Sequence, residues 1–177
     1  MPAAHPVRQQ PIVLVGLMGA GKSTVGRLLA RRLGLAFTDS DEAVEEEAGQ
    51  PIKDIFETQG ESGFRMLERA QLTRLLDGEP RVIAAGGGAF VDPDVRKTML
   101  REAFTIWLDA DTDLVAQRIG SKTGRPLIDG KDVHDTLRQL AAERGPAYAE
   151  AHLRIPCGSG SPDAIVDRIV AALGQRR

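Results

Sequence analysis

The stretch GLMGAGKS, residues 16–23, constrains the fold more than any other part of the chain. Its two glycines five residues apart, followed by Lys22 and Ser23, fit the GxxxxGK[ST] pattern. Glycines there let backbone N–H groups turn inward around a phosphate. An apolar run rich in β-branched residues, 12–15, precedes this stretch, and a helical apolar pattern follows from Lys22 to Leu33. This order of strand, loop and helix predicts a nucleotide-binding protein, and we name residues 16–23 the phosphate loop.

Apolar runs and helical patterns alternate along the chain, which predicts a parallel sheet covered by helices on both faces. Strands are expected at 12–15, 35–38, 81–85, 104–108 and 153–155. Helices are expected at 22–33, 41–48, 51–58, 61–76, from 93 onwards, at 113–119, 133–144 and 161–173. With 177 residues, we expect a disordered tail, residues 1–10, and one domain, residues 11–177.

Composition narrows the possible partners. A net charge of −2 gives no electrostatic argument for nucleic acid, and the one cysteine, Cys157, excludes an internal disulfide. No apolar run approaches the length that spans a membrane. We therefore expect a cytoplasmic monomer that binds small molecules, without nucleic acid or membrane as a partner.

Two arginines interrupt helical faces that are otherwise apolar. Arg65 falls within a broad arc of leucines, together with Glu68, and Arg144 falls on a leucine stripe of the helix that begins at residue 133. Because buried charge is costly without a partner, both arginines are predicted to line a polar pocket, where guanidinium groups suit a carboxylate. The alternatives are a surface ion pair of Arg65 with Glu61 or Glu68, and an Arg144 that faces helix carbonyls before Gly145.

Other polar features follow the second and third predicted strands. Asp39 and Asp41 would project together from an extended segment, one toward Mg²⁺ and one toward a substrate hydroxyl. Capping of the next helix is the alternative role for these aspartates. The glycines 86–88 would bring backbone amides close to a phosphate or a substrate. Arg125, in a polar loop at 120–132, could close over the phosphates or be a solvated loop residue.

Taken together, these segments resemble the shikimate kinase family. The resemblance runs from about Ile12 to Leu173 and rests on GLMGAGKSTVGRLLA, FTDSD, IFETQGESGFRMLE, AAGGGA, RPL and ERGPAY, in that order. It implies a three-layer α/β sandwich of the phosphate-loop kinase type. The five-stranded parallel sheet would have the order 2-3-1-4-5, with helices on both faces and a lid at residues 120–132.

The resemblance also implies how ATP and Mg²⁺ are bound. Residues at the nucleotide would be Gly19, Ala20, Gly21, Lys22, Ser23, Thr24, Arg118 and Arg125, with Arg118 packing on adenine and Arg125 at the phosphates. Ser23 would hold Mg²⁺, and Asp39 would reach the ion through water. Family members often offer a polar or basic residue to the nucleotide where this chain has CGSGSP, residues 157–162, which makes Ser161 the candidate contact there.

For the second substrate, the resemblance implies binding by Asp41, Arg65, Gly87 and Arg144, with Glu68 orienting the arginine. The catalytic residues would be Asp41, Lys22 and Arg125. The implied reaction transfers the γ-phosphate of ATP to the 3-hydroxyl of shikimate, on the route to chorismate and the aromatic amino acids. Two alternatives remain open at this point: another small-molecule kinase, such as a gluconate-type enzyme, and a non-catalytic nucleotide-binding module.

Overall fold

The computed structural model describes residues 9–119 and 132–175 of the chain. Five parallel strands form one sheet in the order β2-β3-β1-β4-β5. The strands are β1 Ile12–Val15, β2 Ala36–Asp39, β3 Arg81–Ala84, β4 Phe104–Ala110 and β5 Leu153–Cys157. The helices are α1 Lys22–Leu33, α2 Ser40–Ala48, α3 Ile52–Leu76, α4 Pro93–Glu102, α5 Thr112–Ile119, α6 Val133–Tyr148 and α7 Pro162–Gln175. The predicted fold class and strand order are therefore confirmed.

The central strand β1 is buried on both faces of the sheet. Ile12 and Leu14 pack with apolar residues of α1 and α7, whereas Val13 and Val15 pack with residues of α3, α4 and α6. Successive side chains of a strand point to opposite faces, so one short strand anchors both helical layers. Because all the strands are parallel, their carboxyl ends meet at one edge of the sheet, and the loops at that edge form the site.

Helix α3 consists of two helical parts, in agreement with the prediction. Two helices were expected, separated near Gly60, and the span Ile52–Leu76 is indeed divided into two helical parts at Gly60, where φ is 70° and ψ is −178°, outside the helical range. A positive φ of this kind suits glycine, so the first helical part ends at Gly60 and the second begins after it. Helix α2 and both sides of the kink enclose a small apolar cluster separate from the main core, formed by Val44, Ile55 and Phe64.

Helix α6 is longer than predicted. The Gly145-Pro146 pair was expected to end it after Arg144, but the helix continues to Tyr148. Proline disfavours a helical residue before it partly through a clash with that residue's Cβ, and Gly145 has no Cβ. The extension places Tyr148 one turn beyond Arg144, and both side chains are buried.

The remaining differences are at element ends. Strands β4 and β5 each run two residues further than expected, and a 3-10 turn, Ala89–Val91, was not predicted. No helix in the described ranges is long and apolar enough to cross a membrane. The predicted lid with Arg125 lies outside the described residues apart from Asp132, as do residues 1–8 of the predicted tail.

Candidate active site

A cavity of about 580 Å³ opens at the carboxyl edge of the sheet. Most of the residues that were predicted to form the site line this cavity, and they come from four separate segments of the chain. Those predicted residues that line it are Gly19, Ala20, Gly21, Lys22, Ser23, Thr24, Asp39, Asp41, Gly87 and Arg118. Arg65 and Arg144 approach the same place from α3 and α6, where they contact the glycines that follow β3.

The phosphate loop has a backbone shape that depends on glycine. Gly16, Gly19 and Gly21 have φ values of 144°, 75° and 95°, a region that L side chains rarely adopt. Gly21 is also the N-cap residue of α1, and no side chain of the described residues caps that helix. The first N–H groups of α1 therefore face the cavity with no capping side chain, and they suit a phosphate.

Two cations lie against the phosphate loop. The Lys22 ammonium donates hydrogen bonds to the carbonyls of Gly16 and Leu17, each at 2.8 Å. The Arg118 guanidinium donates to the carbonyl of Gly19 at 3.4 Å, and it reaches the loop from the end of α5. Positive charge is thus placed beside backbone donors, an arrangement that binds anions.

Ser23 and Asp39 form a pair of oxygen ligands beside the phosphate loop. The Ser23 hydroxyl donates a hydrogen bond to Oδ2 of Asp39. Oδ1 of the same carboxylate accepts from the backbone N–H groups of Asp41 and Glu42, at 2.9 and 3.3 Å. Asp39 therefore caps α2 and faces Ser23 at once, so the two roles considered for it are compatible. Hydroxyl and carboxylate oxygens are hard donors that fit Mg²⁺.

Asp41 reaches the cavity by a different route from the one expected. The two aspartates were expected on one extended segment, which is wrong because α2 begins at Ser40 and puts Asp41 in its first turn. Burial raises the pKa of Asp41 to about 6, with the charges of Asp39 and Glu68 adding to the effect and Lys22 opposing it. A carboxylate with this pKa is ionised near neutral pH and readily accepts a proton, which suits a catalytic base.

The glycine turn, residues 86–88, makes room for charged side chains. A Cβ atom on Gly86 would lie 2.7 Å from Oδ1 of Asp41 and 2.7 Å from Oε2 of Glu68. Both oxygens are buried, and neither has a hydrogen-bond partner among the described residues. The carboxylates of Asp41 and Glu68 thus both lie against Gly86, where there is room for a hydrogen atom but not for a Cβ atom.

The next two glycines face the two arginines. A Cβ on Gly87 would lie 3.2 Å from Nη1 of Arg144, and a Cβ on Gly88 would lie 2.3 Å from Nη2 of Arg65. Nη1 of Arg144 is buried and has no hydrogen-bond partner in the described part of the chain. Charged side chains of α2, α3 and α6 therefore meet at the glycine turn.

The alternatives considered for the arginines can now be decided. Arg65 pairs with both candidate glutamates, at 2.8 Å to the buried Glu68 and at 3.5 Å to Glu61, whose side chain is 61% exposed, so the ion-pair alternative holds and only the pair with Glu61 is at the surface. Burial raises the pKa of the Glu68 carboxyl, and Arg65 acts in the opposite direction. Arg144 is 8% exposed and α6 continues to Tyr148, so the alternative that Arg144 is the last residue of its helix is wrong.

Two residues of this site were not identified from the sequence. Ser40 is fully buried, and its hydroxyl accepts a hydrogen bond of 3.0 Å from the N–H of Gly86. Tyr148 is 1% exposed, and its hydroxyl donates to the carbonyl of Gly87. Tyr148 lies four residues after Arg144, so a helix extended past Pro146 would have placed both on one face. For Ser40, its position between two aspartates was the available signal.

Segment 157–162 contributes backbone and small side chains to the cavity. Gly160 and Pro162 line it, together with Ile165 of α7. The Ser161 hydroxyl accepts a hydrogen bond of 3.2 Å from the N–H of Ala164, so this residue stabilises the start of α7. Its expected contact with adenine stays a prediction.

A family model described as shikimate kinase matches residues 18–174. A shikimate kinase of Caulobacter vibrioides is 48% identical over 170 residues, which cover 96% of this chain and 85% of the relative. One from Zymomonas mobilis is 47% identical over 92% of each chain. Among solved structures, "Shikimate kinase from Acinetobacter baumannii in complex with shikimate" superposes with a TM-score of 0.92. It is 36% identical, and the match covers 96% of both chains.

Proposed function

The chain belongs to the shikimate kinase family, and from that premise we propose how its residues divide the work of the family's reaction. It transfers the γ-phosphate of ATP to the 3-hydroxyl of shikimate, giving shikimate 3-phosphate and ADP. This step belongs to the pathway to chorismate and the aromatic amino acids. Family membership favours this activity over the gluconate-type kinase and the non-catalytic module that the sequence left open.

One observation carries the assignment of the acid-binding pocket. Three buried polar atoms around the glycine turn have no partner among the described residues: Oδ1 of Asp41, Oε2 of Glu68 and Nη1 of Arg144. Leaving a buried polar group unpaired costs about 1–3 kcal/mol, and more for a charged group. A small acid with several hydroxyls supplies the missing partners, with a carboxylate for the arginine and hydroxyls for the carboxylates. We therefore place shikimate at this turn.

ATP occupies the other side of the same cavity in our proposal. Its phosphates accept hydrogen bonds from the N–H groups of the phosphate loop and the start of α1, up to Thr24. Lys22, which is bonded to loop carbonyls, turns to the β- and γ-phosphates when they are present. Arg118 lines the cavity and is exposed, and in this proposal it covers the adenine.

A kinase that uses ATP works with a divalent metal ion, and we propose Mg²⁺ held by this chain through Ser23 and Asp39. The two side chains already touch at the edge of the phosphate loop, and their oxygens are the donors that Mg²⁺ prefers. Ser23 would bind the ion directly and Asp39 through a water molecule. When bound, the ion supplies positive charge that stabilises the transferring phosphoryl group.

Catalysis follows from position and charge. Arg65 and Arg144 bind the carboxylate of shikimate, and this orients the shikimate ring with one hydroxyl toward Asp41. Asp41 aligns that hydroxyl and takes its proton on a carboxylate oxygen as the oxygen attacks the γ-phosphate. Lys22 stabilises the charge that develops on the phosphoryl oxygens. Arg125, which lies outside the described residues, would add a second cation from the lid.

We propose that residues 11–177 act as one catalytic unit and as a monomer. Among the described residues, Met66 is the large apolar side chain left exposed, at 74%, and it stands alone. An isolated apolar residue does not make a stable interface, which usually buries about 800 Å² on each partner. Light scattering should therefore give a mass near 19.1 kDa, and a mass of twice that value would contradict the proposal.

The activity itself is tested by coupled ADP release. The purified chain is assayed with ATP and Mg²⁺ against shikimate, gluconate and a panel of polyols and sugar acids. Turnover should be specific for shikimate, and a preference for gluconate would favour the second candidate. In the same assay, Arg65→Ala should raise KM for shikimate far more than KM for ATP. Equal rises in both would remove Arg65 from the acid-binding pocket.

A further inference from the structure

The hydroxyl of Tyr148 forms a contact that has no part in the proposed reaction. It donates a hydrogen bond to the carbonyl of Gly87, at the centre of the glycine turn. Gly87 lines the cavity, whereas Tyr148 is 1% exposed and approaches the turn from its buried side. The tyrosine is therefore placed to act on the turn and not on a ligand.

Arg144 lies one helical turn before Tyr148 on the same face of α6. Burial raises the pKa of the Tyr148 phenol, while the charge of the neighbouring Arg144 guanidinium opposes this rise. On the other side, Nη1 of Arg144 lies so close to the turn that a Cβ on Gly87 would be 3.2 Å away. The phenol, the guanidinium and the Gly87 backbone thus form one packed group.

We propose that Tyr148 is a positioning residue, whose hydroxyl holds the Gly87 carbonyl so that the turn and Arg144 keep the separation needed to bind the substrate carboxylate. The peptide unit is planar, so fixing the Gly87 carbonyl also fixes the direction of the Gly88 N–H. The proposal rests on the proposed function, because it assigns the carboxylate to Arg144.

The ring of Tyr148 has its own role in packing, which a test must separate from that of the hydroxyl. Its centroid lies 5.9 Å from that of Trp107, at an interplanar angle of 36°, and the residue belongs to the core cluster on this face of the sheet. Tyr148→Phe keeps the ring and removes only the oxygen. This variant should therefore fold with the Trp107 environment preserved.

Steady-state kinetics of Tyr148→Phe provide the test. We expect KM for shikimate to rise about tenfold, the size expected for one lost hydrogen bond, while KM for ATP and kcat change less than about threefold. Leu76→Ala serves as the matched control, since Leu76 packs in the same core cluster but is the last residue of α3, eleven residues after Arg65. That variant should lower the thermal midpoint and leave both KM values unchanged.

Coupling to Arg144 distinguishes positioning from a general effect. If Tyr148 acts through Arg144, the tenfold effect of Tyr148→Phe on shikimate should largely vanish when it is introduced into Arg144→Ala. An unchanged KM for shikimate in Tyr148→Phe overturns the proposal. So does an equal rise in both KM values, or an effect that persists in full without Arg144.

Failure of this proposal differs from failure of the proposed function. If the unmodified chain phosphorylates shikimate and Arg144→Ala weakens its binding, the function and the site stand whatever Tyr148→Phe does. If the unmodified chain does not turn over shikimate, the function fails first. The fluorescence of Trp107, the one tryptophan of the chain, reports in either case whether the ring packing is intact.

Discussion

The phosphate loop and the glycine turn face the same cavity, but their polar groups are satisfied in opposite ways. In the loop, Lys22 is bonded to two carbonyls and Ser23 to Asp39. At the turn, buried atoms of Asp41, Glu68 and Arg144 have no partner within the described residues. The side chains of Lys22 and Ser23 are thus paired within the protein, whereas the turn has unpaired atoms for which we propose the substrate as partner.

This difference bears on selectivity. At the phosphate loop, a bound phosphate replaces hydrogen bonds that the free protein makes internally. Binding there therefore depends on the backbone shape of the loop, which suits the phosphate chain of any nucleotide. At the turn, a ligand with the wrong charges leaves carboxylates and a guanidinium unpaired, and that cost excludes it. We therefore expect the turn to provide the specificity of the enzyme and to lower the stability of the free protein.

The largest effect is expected for Lys22→Met, which tests whether the phosphate loop is stable without its cation. We expect kcat/KM to fall roughly 10³-fold, because a preorganised charge at the transferring group is lost. The free energy of unfolding should change by no more than about 1 kcal/mol, since backbone bonds remain. Steady-state kinetics and urea unfolding measure the two quantities. A protein that fails to fold would mean that Lys22 and not the backbone shapes the loop.

Arg144→Ala tests the turn in the same way. Truncating a buried charge that pairs with a ligand should raise KM for shikimate about 10²-fold and leave KM for ATP within about threefold. Arg138→Ala is the matched control, because Arg138 lies on the same helix but is exposed and pairs with Asp113 at 3.5 Å. Its kinetic constants should match those of the unmodified chain. Parallel rises in both KM values for Arg144→Ala would mean that the two halves are not separate.

Asp41→Asn should lower turnover and yet stabilise the protein, which is the clearest sign of an unsatisfied site. Folding raises the pKa of Asp41 from 3.8 to about 6, so above pH 6 its ionisation destabilises the native state. Removing the charge should raise the free energy of unfolding by up to about 3 kcal/mol at pH 7.5. Urea unfolding of both proteins measures the gain.

The pH dependence gives the sign of this effect. Between pH 3.8 and 6 the native state binds more protons than the unfolded chain, so the unmodified protein loses stability as pH rises through that range. The difference between Asp41→Asn and the unmodified chain should therefore shrink toward zero near pH 4. A variant less stable at pH 7.5 would show that Asp41 has partners in the free protein.

The smallest effect is expected for Asp39, two residues before Asp41, where substitution should lower the free energy of unfolding instead of raising it. Asp39 accepts hydrogen bonds from the N–H groups of Asp41 and Glu42, so Asp39→Ala removes a helix cap. It should lower the free energy of unfolding by about 1 kcal/mol. The same urea experiment tests it, and a stabilised Asp39→Ala would remove the contrast between the satisfied and unsatisfied carboxylates.

The two regions also differ in how well the sequence predicts them. The phosphate loop and α1 depend on neighbouring residues, so a contiguous motif and a helical pattern gave α1 with its observed bounds, Lys22–Leu33. The glycine turn is assembled from distant segments. Arg65 and Arg144 were detectable only because their charges interrupt apolar faces, and their roles, like those of the other site residues, stay predictions.

Contacts that depend on tertiary structure were beyond the sequence pattern. Ser40 and Tyr148 hold the glycine turn through single hydroxyls, and no periodicity marks a residue for such a bond. The end of α6 was misplaced because proline usually ends a helix, while the preceding Gly145 relieves the clash that would do so. The boundary at Gly60, by contrast, was predicted correctly, because a glycine between two helical patterns is a local signal.

The glycine turn leaves the enzyme little scope for acquiring resistance to an inhibitor. Gly86 faces the carboxylates of Asp41 and Glu68, whereas Gly87 faces Arg144 and Gly88 faces Arg65, and a Cβ atom on Gly86 or Gly88 would lie less than 3 Å from these groups. A compound that contacts the turn backbone would thus bind at positions where almost any substitution displaces a charged side chain that we propose to bind the substrate. Escape variants should arise elsewhere, away from residues 86–88.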